Sequence, residues 1–134
     1  FDVDFFKAVN DTYGHKSGDY VLKEIAGVLR DSCRNNVDIP CRVGGEEFCV
    51  ISPETTEADA FHLAERVRRE IEKLTLRIDD KISIKKTISA GVASINEKSN
   101  SFEEVIDSAD KALYHSKGNG RNQVTKFSEI DKGN

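Results

Sequence analysis

The chain has 134 residues, of which 37% are hydrophobic and 33% charged, and a formal net charge of −4. Such a chain fits one globular domain with a core large enough to need neither disulfides nor a structural metal. Its acidic balance argues against a nonspecific nucleic-acid binder, which needs clustered Lys and Arg, and the sequence has no apolar run long enough for a membrane-spanning helix. The three cysteines, Cys33, Cys41 and Cys49, lack metal-type spacing. They are expected to be buried thiols of a protein kept in a reducing, cytoplasmic compartment. The first residues, Phe1 to Asp4, resemble no signal peptide, and without a starting Met the sequence reads as a fragment of a longer protein.

In chain order, Phe1 to Asp4 predicts the end of a strand, and Phe5 to Tyr13 a short helix closed by Gly14. From Asp19 to Arg34 the residues Val21, Leu22, Ile25, Ala26 and Leu29 form one apolar helical stripe. After Pro40, Cys41–Val43 and Phe48–Ile51 predict two strands joined by the four-residue loop Gly44-Gly45-Glu46-Glu47. Thr55 or Thr56 caps the next helix, whose expected buried face is Ala60, Phe61, Ala64, Val67, Ile71 and Leu74. Ile82 to Ala93 predicts one long strand with a turn or bulge near Gly91. Ser101 to Glu104 is a capping box opening a helix expected to bury Phe102, Val105, Ile106, Ala109 and Leu113 and to stop at Gly118. Val124 to Phe127 predicts a last edge strand, after which residues 127–134 form a tail. The predicted order is β-α-α-β-β-α-β-α-β, an α/β (α+β) fold with a largely antiparallel central sheet flanked by helices.

Four groups of residues carry chemistry. Asp2 and Asp4, two apart on a strand end, would point to one face and suit a hard divalent cation, although paired acids near a loop are more often solvated surface. In the hairpin loop, Gly44 and Gly45 permit close approach of a bulky ligand and Glu46 and Glu47 bring charge for a metal; an ordinary exposed turn is an equal reading. In Lys117-Gly118-Asn119-Gly120-Arg121-Asn122, a point charge and a bidentate fork suit phosphate oxygens, against the plainer role of a helix C-cap. Asn10 and Asp19 could hydrogen-bond a guanine edge, with helix termination and N-capping as the competing role; His15, after Gly14, has mainly a structural reading.

Together these blocks resemble the GGDEF family of diguanylate cyclases, in the Glu variant Gly44-Gly45-Glu46-Glu47-Phe48. The resemblance rests also on Asp2-Val-Asp-Phe-Phe-Lys7, Asn10-Asp11, Gly14-His15, Gly18-Asp19, Arg42, Thr87-Ile88-Ser89-x-Gly91, Ala109-Asp110-x-Ala112-Leu113-Tyr114 and Lys117-x-x-Gly120-Arg121-Asn122, in the family's order and spacing. It implies a nucleotidyl-cyclase or polymerase-palm-like fold over residues 1–126, with part of the first strand missing. It also implies Mg²⁺-dependent condensation of two GTP into cyclic di-GMP, with Mn²⁺ as an alternative ion. On this resemblance Asp2, the Val3 carbonyl and Glu46 form the metal site, with Asp4 close by, and Glu47 is a second acid near the triphosphate. Lys7, Lys117 and Arg121 clamp phosphates, and Asn10 and Asp19 read guanine with His15 nearby. Neither Glu46 nor Glu47 is singled out as the base. The acid at Asp19 implies GTP rather than an adenine nucleotide.

Further implied partners are a second copy of the domain, since one domain holds one GTP, and an upstream sensory or receiver domain. Neither nucleic acid nor membrane is an expected partner. A non-catalytic module binding GTP or a protein is the alternative function. One departure stands out. Many family members carry an inhibitory Arg-x-x-Asp before the loop; here Asp38 stands at the acid position but Asn35 at that of the arginine, with Arg34 one residue early. One residue turns a helical side chain by about 100°, so this inhibitory site is expected to be degenerate.

Overall fold

The computed structural model describes residues 1–96 and 100–131. The elements run β1 (Asp2–Val3), α1 (Phe6–Tyr13), α2 (His15–Ser32), β2 (Ile39–Gly44), β3 (Glu47–Ile51), α3 (Glu57–Lys73), β4 (Leu76–Arg77), β5 (Ser83–Ile84), β6 (Ile88–Val92), α4 (Phe102–Gly118), β7 (Val124–Lys126) and α5 (Phe127–Ile130). Five strands form the central sheet in the order β2-β3-β1-β6-β7, and β4 and β5 form a separate two-stranded ribbon. Pairing is antiparallel except between β6 and β7. The two-residue strand β1 thus lies at the centre of the sheet. Pro40, which cannot donate to a ladder, sits on the edge strand β2, where its missing N–H is harmless.

The helices form where the apolar stripes fall. Val21, Leu22, Ile25 and Leu29 of α2 are buried against Val3, Phe6, Val9, Phe48, Val67, Ile71, Leu76 and Ile88 in one core cluster. Thr56 caps α3, its hydroxyl accepting the Asp59 N–H at 3.1 Å, and acids stand in the first turn with Lys73 in the last, as the helix dipole favours. Ser101 caps α4 and accepts the Glu104 N–H at 3.2 Å.

Several expectations need correction. Helix α2 begins at His15, so Asp19 is not its N-cap but lies in its second turn. The hairpin closes in two residues rather than four, because Gly44 already pairs with Glu47 after a register shift beyond Arg42. Residues 82–93 do not form one strand. The Asp79 carboxylate accepts the N–H groups of Lys81 and Ile82 at 2.7 and 2.8 Å, an Asx-type turn that folds β5 back on β4 and separates it from β6. Gly91 marks no bulge. It lies inside β6, where an added Cβ would sit 2.1 Å from the Ala109 carbonyl oxygen and 2.3 Å from the Leu113 nitrogen.

This close seam also explains why α4 buries Ser108, Ala112 and Ser116 while Phe102 is exposed. Only small residues fit where the helix backbone nearly touches the strand. Ser116 ties the seam, donating to the Ala90 carbonyl at 2.8 Å and sharing a 2.7 Å hydrogen bond with Thr125 of β7. No cysteine is buried: Cys41 is exposed and Cys33 and Cys49 are half-buried. Among the described residues, no helix is long and apolar enough to cross a membrane.

Candidate active site

The sheet topology gathers the acids. Because β1 lies beside β3, Asp2 pairs with Glu47, and the Val3 N–H donates to the Glu46 carbonyl at 3.2 Å. Asp2, Val3, Glu46 and Glu47 therefore meet at one place, although 42 residues lie between Val3 and Glu46 in the chain. The turn that carries Glu46 is held rigidly. Gly45 has φ +51°, a left-handed conformation natural to glycine, and Arg42 donates from Nε and Nη2 to its carbonyl at 3.0 and 2.7 Å. The Asp2 carboxylate is buried, and Lys117 at the end of α4 sets its Nζ 2.5 Å from Oδ2.

Asp4 has a different task. Its carboxylate is buried and accepts from Thr87 Oγ1 at 2.7 Å, Ser89 Oγ at 2.7 Å and the Asn122 N–H at 3.0 Å. These bonds tie β1 to β6 and to the turn after α4. Asp4 is thus engaged as a structural clasp, while Asp2 remains beside the glutamates.

Among the described residues, no three His, Cys, Asp or Glu side chains converge on a ready-made metal cage. One buried carboxylate and one half-buried glutamate on a neighbouring rigid turn nevertheless fit a hard cation that takes one or two carboxylates and completes its shell with water and phosphate.

Helices α1 and α2 pack as a helical pair. Asn10 of α1 lies so close to Gly18 that a Cβ there would fall 1.9 Å from its Oδ1. Next to Gly18, Asp19 lines a cleft of about 540 Å³ between α2 and the β2–β3 hairpin, with Leu22, Ala26, Leu29 and Phe48 as apolar walls and Arg42 on the hairpin side. The cleft thus has apolar walls with the Asp19 carboxylate among its lining residues, while the Asn10 amide lies against neighbouring Gly18. Lys7 and His15 occupy exposed positions of α1 and α2.

The family model described as diguanylate cyclase, GGDEF domain, matches residues 1–123. The chain belongs to this family. It is 48% identical over 124 residues to diguanylate cyclase A of Treponema denticola, covering 92% of this chain and 33% of that protein. It is 42% identical over 124 residues to the response regulator PleD of Caulobacter vibrioides, covering 92% of this chain and 27% of that protein. The chain thus spans about a third or less of the length of these curated relatives. Among solved structures, it is similar to the GGDEF domain of DgcB from Caulobacter crescentus in complex with c-di-GMP, with a TM-score of 0.88, 35% identity, and coverage of 95% of this chain and 74% of that one. Membership of the family carries with it the use of a divalent cation in general.

Within this GGDEF domain, the region before the hairpin has its own geometry. Arg34 donates to Asp38 through its backbone N–H at 2.8 Å, Nε at 3.1 Å and Nη2 at 2.8 Å, and Nη2 also reaches Thr55 at 2.8 Å. Hydrogen bonds from Arg34 hold the Asp38 carboxyl well below the usual carboxylate range. Asn35 and Asn36 beside it are exposed, and Asn36 has φ +61°.

Some features of the GGDEF site escaped sequence reasoning. Arg42 was part of the resemblance, but its clamp on the Gly45 carbonyl depends on the bulge in β2. Phe5 lay within the Asp2–Lys7 block of the resemblance with no role of its own, yet it has φ +54° and the Arg121 guanidinium carbon lies 4.6 Å from its ring centroid.

Proposed function

We propose that this GGDEF domain condenses two GTP into cyclic di-GMP with release of two pyrophosphates, using Mg²⁺, as an antiparallel pair of domains. The observation that carries the reading is the meeting of buried Asp2 with the Glu46 turn and with Lys117 Nζ at 2.5 Å from Asp2. Acids on two neighbouring strands with a lysine at their edge suit a triphosphate whose charge would be met by a divalent ion on one side and by Lys117 on the other.

In this reading Asp2, the Val3 carbonyl and Glu46 hold the cation, which supplies charge neutralisation at the reacting phosphate and acidifies a nearby hydroxyl. Lys117, Lys7 and Arg121 take phosphate oxygens and balance the charge that builds on the leaving pyrophosphate. Lys117 exchanges part of its pairing with Asp2 for a phosphate oxygen when nucleotide enters. Asn10 and Asp19 hydrogen-bond the guanine edge. Glu47 lies beside the site as an acid that can accept the proton of the attacking hydroxyl. In each of two equivalent steps the 3′-oxygen of one GTP forms an ester bond to the α-phosphorus of the other, and the bond from that phosphorus to the pyrophosphate oxygen breaks.

A GTP held by one domain cannot present its own 3′-hydroxyl in line with its own α-phosphate, so each domain supplies half of the site. Upstream segments of the whole protein, a sensory or receiver domain, would then control activity by controlling pairing in a cytoplasmic setting.

The test is product formation from GTP and Mg²⁺ at several protein concentrations, resolved by chromatography, on the full-length protein. Cyclic di-GMP whose rate rises faster than linearly with protein supports the paired enzyme. No cyclic di-GMP from wild-type protein, or near-normal turnover in a folded Glu46→Gln variant, overturns the catalytic reading or the metal assignment respectively.

A further inference from the structure

Phe5 precedes α1 with φ +54°, a left-handed conformation that bulky L side chains avoid. Its ring adds little to the core, being 64% exposed. An exposed aromatic in a strained backbone position contributes neither burial nor conformational ease. What it offers is a flat face, and the Arg121 guanidinium carbon lies over that face, 4.6 Å from the ring centroid.

The backbone on both sides of this contact is held in place. Arg121 has φ +63°, its N–H donates to the Ser116 carbonyl at 3.0 Å, and its carbonyl accepts from Gln123 Nε2 at 3.0 Å. The next residue, Asn122, has φ +46° and is fixed by Asp4 at 3.0 Å, Arg68 at 3.0 Å and Glu72 at 2.5 Å. On the opposite side, the Phe5 carbonyl accepts from Lys86 Nζ at 3.4 Å. Two strained but tightly held segments therefore bring one ring under one guanidinium. The ring meets the guanidinium with its own π face and offers it no oxygen or nitrogen acceptor, so the N–H donors stay available to phosphate oxygens.

We propose that Phe5 is a positioning residue for nucleotide binding: its ring stacks the Arg121 guanidinium into an orientation ready for the polyphosphate. This rests on the reading of Arg121 as a phosphate clamp. An unstacked Arg121 would sample many rotamers and lose freedom on binding, and stacking removes that loss in advance.

The test measures, on the full-length protein, the affinity for a non-hydrolysable GTP analogue with Mg²⁺ by calorimetry, alongside thermal midpoints. Phe5→Leu removes the π face, Phe5→Tyr keeps it, and Phe5→Asn removes it while suiting the left-handed backbone. A cation–π contact at an exposed site corresponds to about two- to fivefold in affinity. We expect Phe5→Leu and Phe5→Asn to weaken binding by that factor, Phe5→Tyr to bind as wild type, and Phe5→Asn to melt no lower than wild type. In an Arg121→Ala background, Phe5→Leu should have no further effect. Weakened binding in Arg121→Ala with unchanged binding in Phe5→Leu overturns the positioning role alone, as does an equal effect of Phe5→Leu in both backgrounds. Unchanged binding in Arg121→Ala overturns the phosphate-clamp assignment, and the proposal with it.

Discussion

A methyl group added at Gly18 would lie 1.9 Å from Asn10 Oδ1, 3.0 Å from Asn10 Cγ and 3.1 Å from Phe6 Cζ. Gly18→Ala therefore puts opposite pressures on stability and on recognition. Gly18 is inside α2, where alanine is favoured over glycine by about 1 kcal/mol. The atom it strikes first is the end of a side chain, which can swing away at small cost. The Asn10 amide must then retreat by roughly 1 Å, and a misplacement of that size in a positioned group costs up to about 10²-fold in rate. The expected outcome is a thermal midpoint within a few degrees of wild type together with a rise in KM for GTP of about tenfold or more. Asn10→Ala should raise KM comparably, and the double variant should add little, because both remove the same contact. The assay is steady-state turnover of GTP on the full-length protein, paired with a melting curve. A wild-type KM in folded Gly18→Ala would refute the assignment of Asn10 to the guanine edge, and a collapse in stability would refute the packing argument.

Gly91→Ala should behave in the opposite way. Its methyl would meet backbone atoms of Ala109 and Leu113 at 2.1 and 2.3 Å, which cannot rotate aside, so a loss of about 1–3 kcal/mol or more is expected in urea unfolding; an unchanged midpoint would contradict the seating of α4 on β6. The Arg34–Asp38 clasp predicts a pH signature. Hydrogen bonds from Arg34 depress the folded Asp38 pKa, so its contribution is fully present above the ordinary carboxylate range near 4 and is lost as pH falls below it toward the folded value. Arg34→Met should therefore be destabilised at pH 7, by a margin that shrinks as the pH is lowered from about 4 toward 2; a margin independent of pH would sink the argument. The same clasp, with Asn35 in place of an arginine, predicts weak feedback by product. Sub-micromolar binding of cyclic di-GMP that is lost in Asp38→Ala would overturn that expectation.

What the sequence determined by itself was local or carried by resemblance. The α2 stripe, the Thr56 and Ser101 caps and the Gly-Gly-Glu-Glu hairpin follow from periodicity, cap chemistry and turn chemistry, each acting within a few residues. The family was legible because its blocks recur in order along nearly the whole chain. Tertiary structure alone decided the rest. It split residues 82–93 into two strands by giving β5 a partner in β4, and it replaced large apolar residues by serine and alanine on the buried face of α4 because that helix lies against Gly91. It also separated two acids that look alike in the sequence. Asp2 meets the glutamate turn because β1 pairs with β3, whereas Asp4 meets Thr87, Ser89 and Asn122 because it continues alongside β6. A carboxylate's role depends on which donors reach it, and here those donors lie more than 80 residues away along the chain, a distance that no local pattern spans.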